Sequence, residues 1–163
     1  MVHQPGGGPD CVTNLCYIYL WHLTDRCRRI AMPLGCPMLD ELPHRVRLDG
    51  DHVTLELDVT DEMRGPSGAV HGGLVASVID CAGAYAVARA SKRPVATANT
   101  SISYLAAGRV GPLMARASAI RIGSHHGVAD VRVCDSGKGD RLVASALVTL
   151  SFLSGEAFTA RAS

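Results

Sequence analysis

Apolar and polar positions divide the chain into one long apolar segment and several shorter segments in which the two alternate. From Gly72 to Ser91 the sequence consists mainly of Ala, Val and Gly, and Asp80 is the only charged residue between Gly72 and Ala88. An apolar stretch of this length predicts a helix that the rest of the domain covers.

The alternating segments on both sides of this helix predict strands. Before it, the Asp49-Gly50 turn predicts a hairpin between residues 44–48 and 52–59, preceded by a short helix over 36–42. After it, strands are predicted over 95–105, 113–122, 127–134 and 141–153. One apolar helix followed by an antiparallel sheet predicts an α+β fold in which the sheet wraps around the helix.

The length of the chain predicts one globular domain with additional residues at both ends. The 163 residues are 47% hydrophobic and 19% charged, which is enough for a single core. Residues 32–154 carry the regular pattern and are predicted to be the domain. Residues 1–31 are predicted to be an N-terminal extension, either disordered, a short extra helix or residues upstream of the natural start, and 155–163 a C-terminal tail.

Charge and cysteine usage argue against several classes of function. The 16 basic residues nearly balance the 15 acidic ones, so a nucleic acid partner is not expected. Asp80, at the centre of the apolar segment, argues against a membrane span. The six cysteines show no metal-ligand spacing, so we expect no metal site, reduced thiols and a cytoplasmic location.

Asp80 is the strongest candidate for chemistry, because an ionised carboxylate in an apolar helix is costly unless it is paired or used. On a helix it shares one stripe with the small residues Gly73, Ser77 and Ala84. The first turn of this helix presents the backbone N–H groups of Gly72 and Gly73, which could hold a carbonyl oxygen. The alternatives are a structural carboxylate and glycines that serve close packing.

A carboxylate and an oxyanion hole suit attack on an activated acyl group such as a thioester. The carboxylate could act as general base on water or as nucleophile. Gly72 and Asp80 are about 12 Å apart along one helix, so one subunit cannot easily bring both to one acyl carbon. Two antiparallel helices from two subunits could do so, which predicts a symmetric homodimer with shared sites.

The candidate residues follow a distinctive order along the chain: His71-Gly72-Gly73, Asp80, Thr97 and Ile102-Ser103-Tyr104-Leu105. This order resembles the PaaI-like acyl-CoA thioesterases of the hotdog-fold superfamily, over residues 33–153. The resemblance implies a hotdog fold, an antiparallel sheet wrapped around one long central helix. It also implies hydrolysis of an acyl-CoA thioester to free acid and CoA by a homodimer or homotetramer, without a cofactor.

The resemblance also implies roles for individual residues. The Gly72 amide would polarise the thioester carbonyl, Asp80 of the other subunit would be base or nucleophile, and Thr97 would orient the attacking water. His71 belongs to the catalytic motif, where we expect it to shape the loop. The implied substrate-binding residues are Gly65, Gly73, Val75, Ile79, Tyr104, Arg121 and Gly123, with Arg121 and Gly123 near the CoA nucleotide and pantetheine.

Gly65 departs from the family pattern. An Asn often stands six residues before the motif histidine, where it helps to place the carbonyl or the water. Its absence favours a second hypothesis, a hotdog protein that binds acyl-CoA as a sensor without cleaving it. A hotdog hydratase is a weaker alternative, because it needs an Asp and a His a few residues apart in one loop, whereas Asp80 follows His71 by nine residues.

Overall fold

A computed structural model describes residues 29–30 and 37–153 of the chain. The predicted C-terminal tail, most of the predicted N-terminal extension and the first four cysteines lie outside the described residues. The proposed division into extension, domain and tail therefore stays a prediction. Arg29 and Ile30, at the end of the predicted extension, pair with Arg47 and Val46 as a two-residue strand.

The described residues form one antiparallel sheet and one long helix, which confirms the predicted α+β hotdog architecture. The helices are α1 (Pro37–Asp40) and α2 (Gly72–Ser91), and single 3₁₀ turns cover Asp61–Met63 and Ser136–Lys138. The strands are β1 (Arg29–Ile30), β2 (His44–Asp49), β3 (His52–Leu57), β4 (Val95–Tyr104), β5 (Leu113–Ile122), β6 (His126–Asp135) and β7 (Arg141–Phe152). They pair in the order β1-β2-β3-β5-β6-β7-β4.

The β2–β3 hairpin turns where the sequence predicts it. Gly50 has a φ of +53°, a conformation that suits glycine in a tight turn. Strand β3 ends at Leu57, two residues earlier than predicted, because its last partner on β2 is His44. The residue before His44 is Pro43, which has no backbone N–H to continue the ladder.

Helix α2 packs one side against the sheet and leaves the opposite side partly open. Val75, Val78, Ile79, Ala82 and Ala86 are all buried in the core. The stripe of Gly73, Ser77, Asp80 and Ala84 is exposed or half-buried. The sheet therefore covers the helix less completely than the sequence pattern predicts, and the uncovered part is the stripe with the carboxylate.

The close approach of α2 to the sheet depends on a glycine in the middle of the helix. A Cβ atom at Gly83 would lie 2.9 Å from the side chain of Val148 on β7. By length and composition α2 could also cross a membrane, but half of its most apolar window is buried inside this fold. Core helices have this same composition, so the helix gives only weak support for a membrane span.

Strand β4 lies at an edge of the sheet and contains a β-bulge. On one side it pairs with β7, and within the described residues no strand pairs with its other side. Thr97 lies opposite Leu150, and Asn99 lies opposite Thr149, so Ala98 is the extra residue. The bulge shifts the alternation of side chains along the strand.

Candidate functional site

The first turn of α2 is shaped by His71, whose ring caps the helix. The Nδ1 atom of His71 accepts a hydrogen bond from the N–H of Gly73 at 3.1 Å. The carbonyl of His71 accepts from the N–H groups of Leu74 and Val75. Among the described residues none accepts the N–H of Gly72. Of the two predicted oxyanion donors, Gly72 therefore keeps a free N–H, whereas that of Gly73 is already used.

Tyr104 forms one wall beside this free N–H. Its hydroxyl donates a 2.9 Å hydrogen bond to the carbonyl oxygen of Gly72. A Cβ atom at Gly72 would lie 3.6 Å from the tyrosine ring, an ordinary contact distance. The ring is 54% exposed, so a ligand at the head of α2 can contact it. The contribution of Tyr104 to substrate binding stays a prediction.

Asp80 and Thr97, two of the predicted catalytic residues, meet in the structure. The hydroxyl Oγ1 of Thr97 donates to Oδ1 of Asp80 at 2.7 Å. No described residue hydrogen-bonds the second oxygen, Oδ2, and the side chain is half-buried. A carboxylate held at one oxygen and open at the other can accept a proton from water or attack a carbonyl carbon.

The bulge at Ala98 places the hydroxyl of Thr97 on the helix side of the sheet. The sequence pattern predicts Thr97, Asn99, Ser101 and Ser103 on one polar strand face. In the structure Thr97 pairs with the buried Leu150, whereas Asn99 pairs with a residue of the opposite face. That prediction is wrong for Thr97, because the extra residue reverses the alternation between positions 97 and 99.

The loop before His71 is held by a second loop, residues 105–112. The N–H of Val70 donates to the carbonyl of Gly108 at 2.9 Å. Arg109 Nη1 donates to the carbonyl of Ser67 at 2.6 Å, and Arg64 Nη1 donates to the carbonyl of Arg109 at 2.5 Å. Backbone carbonyls and guanidinium groups therefore fix the entry to α2.

Asp135 anchors that second loop, a role that the sequence does not reveal. Its side chain is fully buried, and its oxygens accept from the N–H groups of Arg109, Val110 and Gly111 at 2.7, 3.0 and 2.8 Å. Burial by itself raises the pKa of Asp135, but the hydrogen bonds from these N–H groups outweigh it and hold the pKa below its usual value. Asp135 is therefore a buried anion that positions the loops beside the candidate site.

Gly65, the position of the missing Asn, lies in the loop before His71. Its N–H donates to the carbonyl of Ala69 at 2.8 Å, and its carbonyl accepts from the N–H of Gly68. A Cβ atom at Gly65 would have the carbonyl oxygen of Ala69 as its nearest neighbour, at 3.9 Å. The backbone at this position therefore has room for a side chain.

The remaining predicted substrate-binding residues are either buried in the core or lie near the β5–β6 turn. Val75 and Ile79 are 2% and 0% exposed, because they belong to the helix face that packs on the sheet. Arg121 is exposed near the end of β5, and Gly123 lies in the β5–β6 turn, where its N–H donates to the carbonyl of His126. The structure thus joins Asp80 with Thr97 and Gly72 with Tyr104. Val75 and Ile79 lie on the same helix with buried side chains, and Arg121 and Gly123 lie near the β5–β6 turn.

Residues 37–153 contain His, Cys, Asp and Glu side chains, the usual ligands of metal ions. No group of three or more His, Cys, Asp or Glu side chains there is arranged to hold a metal ion. Cys81 is buried and Cys134 half-buried, and neither forms a disulfide in that part of the chain. Burial raises the pKa of the Cys134 thiol, which keeps it protonated.

Comparison with known proteins identifies the family. The sequence profile described as the thioesterase superfamily matches residues 67–148, half of the chain. A Halobacterium salinarum protein that carries the name putative esterase is 47% identical over 74 residues, which are 42% of this chain and 48% of that protein. The match thus spans about half the length of this curated relative.

Solved structures support the same fold. Escherichia coli PaaI, from the phenylacetic acid degradation operon, superimposes with a TM-score of 0.66 at 23% identity, covering 74% of this chain and 86% of that one. A Streptococcus mutans protein bound to acetyl CoA gives 0.59 at 25% identity, covering 64% of this chain and 82% of that one. The chain therefore belongs to the thioesterase superfamily and has the hotdog fold seen in PaaI.

Proposed function

We propose that the protein hydrolyses an acyl-CoA thioester to the free carboxylic acid and CoA. The observation that carries this proposal is the Asp80 carboxylate, which Thr97 holds at Oδ1 and which stays open at Oδ2 on a half-buried stripe of small residues. The free N–H of Gly72 supplies an oxyanion donor at the head of the same helix. Membership of the thioesterase superfamily and a neighbour bound to acetyl CoA support this class of substrate.

In the proposed reaction, the thioester carbonyl oxygen accepts a hydrogen bond from the Gly72 N–H. The oxygen of a water molecule bonds to the carbonyl carbon while its proton passes to Asp80 Oδ2. Collapse of the tetrahedral intermediate breaks the carbon–sulfur bond, and the CoA thiolate takes the proton. Alternatively, Asp80 attacks the carbonyl carbon itself, which breaks the carbon–sulfur bond, releases the CoA thiolate and forms an anhydride. Water then opens the anhydride to the free acid and the Asp80 carboxylate, and one of its protons goes to the thiolate. The proposed reaction needs no metal or prosthetic group.

The proposed site is shared between two subunits. Gly72 and Asp80 are separated by about 12 Å along α2, which is too far for both to act on one acyl carbon. A twofold partner with an antiparallel α2 would place its Asp80 near the Gly72 of the first subunit. The unpaired edge of β4 supports such an association, because an exposed edge offers a row of backbone groups to a second strand.

The first experiment is an assay of free thiol release from short, medium, long and aromatic acyl-CoAs. We expect turnover of at least one class, and a loss of about 100-fold or more in Asp80→Asn. Asp51→Asn, at an exposed turn, is the matched control and keeps full activity. Equal turnover by Asp80→Asn and the wild type would contradict the assigned role.

A second candidate function is acyl-CoA sensing without cleavage, and the observation that favours it is Gly65. This residue supplies no side-chain amide to place a carbonyl or water beside the site. Tight binding of an acyl-CoA without turnover, in both the wild type and Asp80→Asn, would support the sensor and contradict hydrolysis.

A further inference from the structure

The sheet face opposite α2 carries a row of arginines on neighbouring strands. Arg116 of β5 lies directly opposite Arg132 of β6, and on its other side it lies opposite Thr54 of β3. Thr54 in turn lies opposite Arg47 of β2. We call Arg47, Arg116 and Arg132 the arginine row. Their chain neighbours Val46, Ala115, Ala117, Val131 and Val133 are buried under α2, so by alternation the arginine row points away from it.

The positive charge of the arginine row is poorly compensated within the described residues. Arg47 and Arg116 form no hydrogen bond or ion pair with them, and Arg132 Nε lies 3.6 Å from a carboxylate oxygen of Asp130. Like charges directly opposite on neighbouring strands destabilise a sheet. The adjacent Glu56 does not relieve them fully, because its Oε1 accepts from Arg45 at 2.6 Å.

The arginine row lines a cavity of about 500 Å³. This volume lies in the range of small-molecule sites. The other lining residues are Glu56, Pro112, Met114, Cys134, Ser136 and Asp140. Burial raises the pKa of the Cys134 thiol and keeps it protonated. The charged groups of the cavity are therefore the three guanidinium groups and two carboxylates, that of Glu56, which pairs with Arg45, and that of the exposed Asp140. Pro112 and Met114 supply apolar surface beside the charges.

We infer that this cavity is a second ligand site, one that binds a phosphate-bearing anion the size of a nucleotide. Guanidinium groups bind phosphate oxygens with paired hydrogen bonds, and a bound phosphate would neutralise the arginine row. A second copy of the chain fits this face less well, because twofold pairing would bring one arginine row towards another. The phosphate could belong to the nucleotide part of CoA or to a free anion.

Equilibrium binding of adenosine 3′,5′-bisphosphate to the full chain tests this inference without any turnover. We expect saturable binding that weakens as salt rises, and that weakens roughly tenfold or more in Arg116→Gln/Arg132→Gln. Lys92→Gln removes a positive charge at the far end of α2 and serves as the control, with binding unchanged. The assay measures binding alone. The anion site can therefore be absent while the proposed hydrolysis holds, and the anion site can be present while the proposed hydrolysis does not.

Two further measurements identify the source of the phosphate. If it belongs to the substrate, the bisphosphate competes with acyl-CoA, and the double variant raises KM with kcat unchanged. If it belongs to a free anion, KM stays unchanged while bisphosphate binding is lost. Absence of binding to the wild type, or equal binding to the double variant, overturns the inference. So does a double variant that changes only the oligomeric state, because the face would then be a contact between copies.

Discussion

Thr97 and Asp80 are joined by a 2.7 Å hydrogen bond between the threonine hydroxyl and one carboxylate oxygen. The bond links the edge strand β4 to the middle of α2. It fixes the orientation of the carboxylate and leaves the other oxygen for a reacting molecule.

Replacing Thr97 with Val removes this hydroxyl while keeping the shape of the side chain. We expect kcat for thioester hydrolysis to fall about tenfold or more, because a hydrogen bond to a charged group is lost. Thr97→Ser keeps the hydroxyl and should retain most of the activity. Steady-state thiol release measures both variants. Full activity in Thr97→Val together with a loss in Thr97→Ser would mean that the methyl group, and not the hydroxyl, is what matters.

Restoring the family's asparagine at position 65 should increase turnover. The backbone has room for the side chain, since the nearest atom to a Cβ there is the Ala69 carbonyl oxygen at 3.9 Å. We expect kcat in Gly65→Asn to rise about tenfold, because an added donor stabilises developing charge on the substrate. Gly65→Ala fills the same space without an amide and should show no gain. A folded Gly65→Asn with unchanged kcat would show that this chain does not use an amide here.

Mixing two inactive variants tests the shared site. Gly72→Pro removes the N–H at the first position of α2, where proline is well tolerated, and Gly72→Ala is a control that keeps it. A hybrid of Gly72→Pro with Asp80→Asn contains one intact site out of two. Random mixing makes half of the dimers hybrid, so about a quarter of wild-type activity should return. Hybrid dimers that form in native mass spectra but stay inactive would point to a site within one subunit.

The Asp135 carboxylate should contribute to stability in a pH-dependent way. Asp135→Asn removes the charge from a group that accepts three backbone N–H bonds, and we expect a loss of about 2–3 kcal/mol in the free energy of unfolding at neutral pH. Because the folded-state pKa of Asp135 is lowered, its contribution is present above the unfolded carboxyl pKa of about 3.9 and is lost as the pH falls through the folded value.

Urea denaturation at several pH values measures this effect. The difference in the free energy of unfolding between the wild type and Asp135→Asn should be constant from about pH 7 to pH 5 and should become smaller below about pH 4. Asp51→Asn, at an exposed turn, should show no such difference. If this difference in the free energy of unfolding stays constant at acidic pH, the loss of stability comes from altered packing and not from the charge.

The fold and the main candidate residue could be predicted because each depends on a local signal. Asp80 is conspicuous as the only charge in the apolar stretch from Gly72 to Ala88, and Asp49-Gly50 marks a hairpin that the structure confirms. The choice of Thr97 as a site residue depended on a resemblance to known proteins, and its hydrogen bond with Asp80 is seen only in the structure. Nothing in the alternating run around Ala98 reveals the bulge, because the hydrogen bonds with β7 determine which residue is extra.

Other parts of the site escape prediction because they depend on residues that are distant in sequence. Asp135 has the sequence context of an ordinary turn residue, and its burial comes from a loop about 25 residues earlier. The arginine row resembles a solvated strand face when each strand is taken alone. Only the register across four strands brings its members to one cavity.

The edge of β4, with which no described strand pairs, has a consequence for how the protein would respond to dilution. The same strand carries Thr97 near one end and Tyr104 at the other, so it contributes to both parts of the candidate site. If two such edges join to form the shared site, separated subunits each hold only half of the reacting groups. Specific activity would then fall as the protein is diluted below the dissociation constant of the dimer, and the concentration of the chain itself would set the rate.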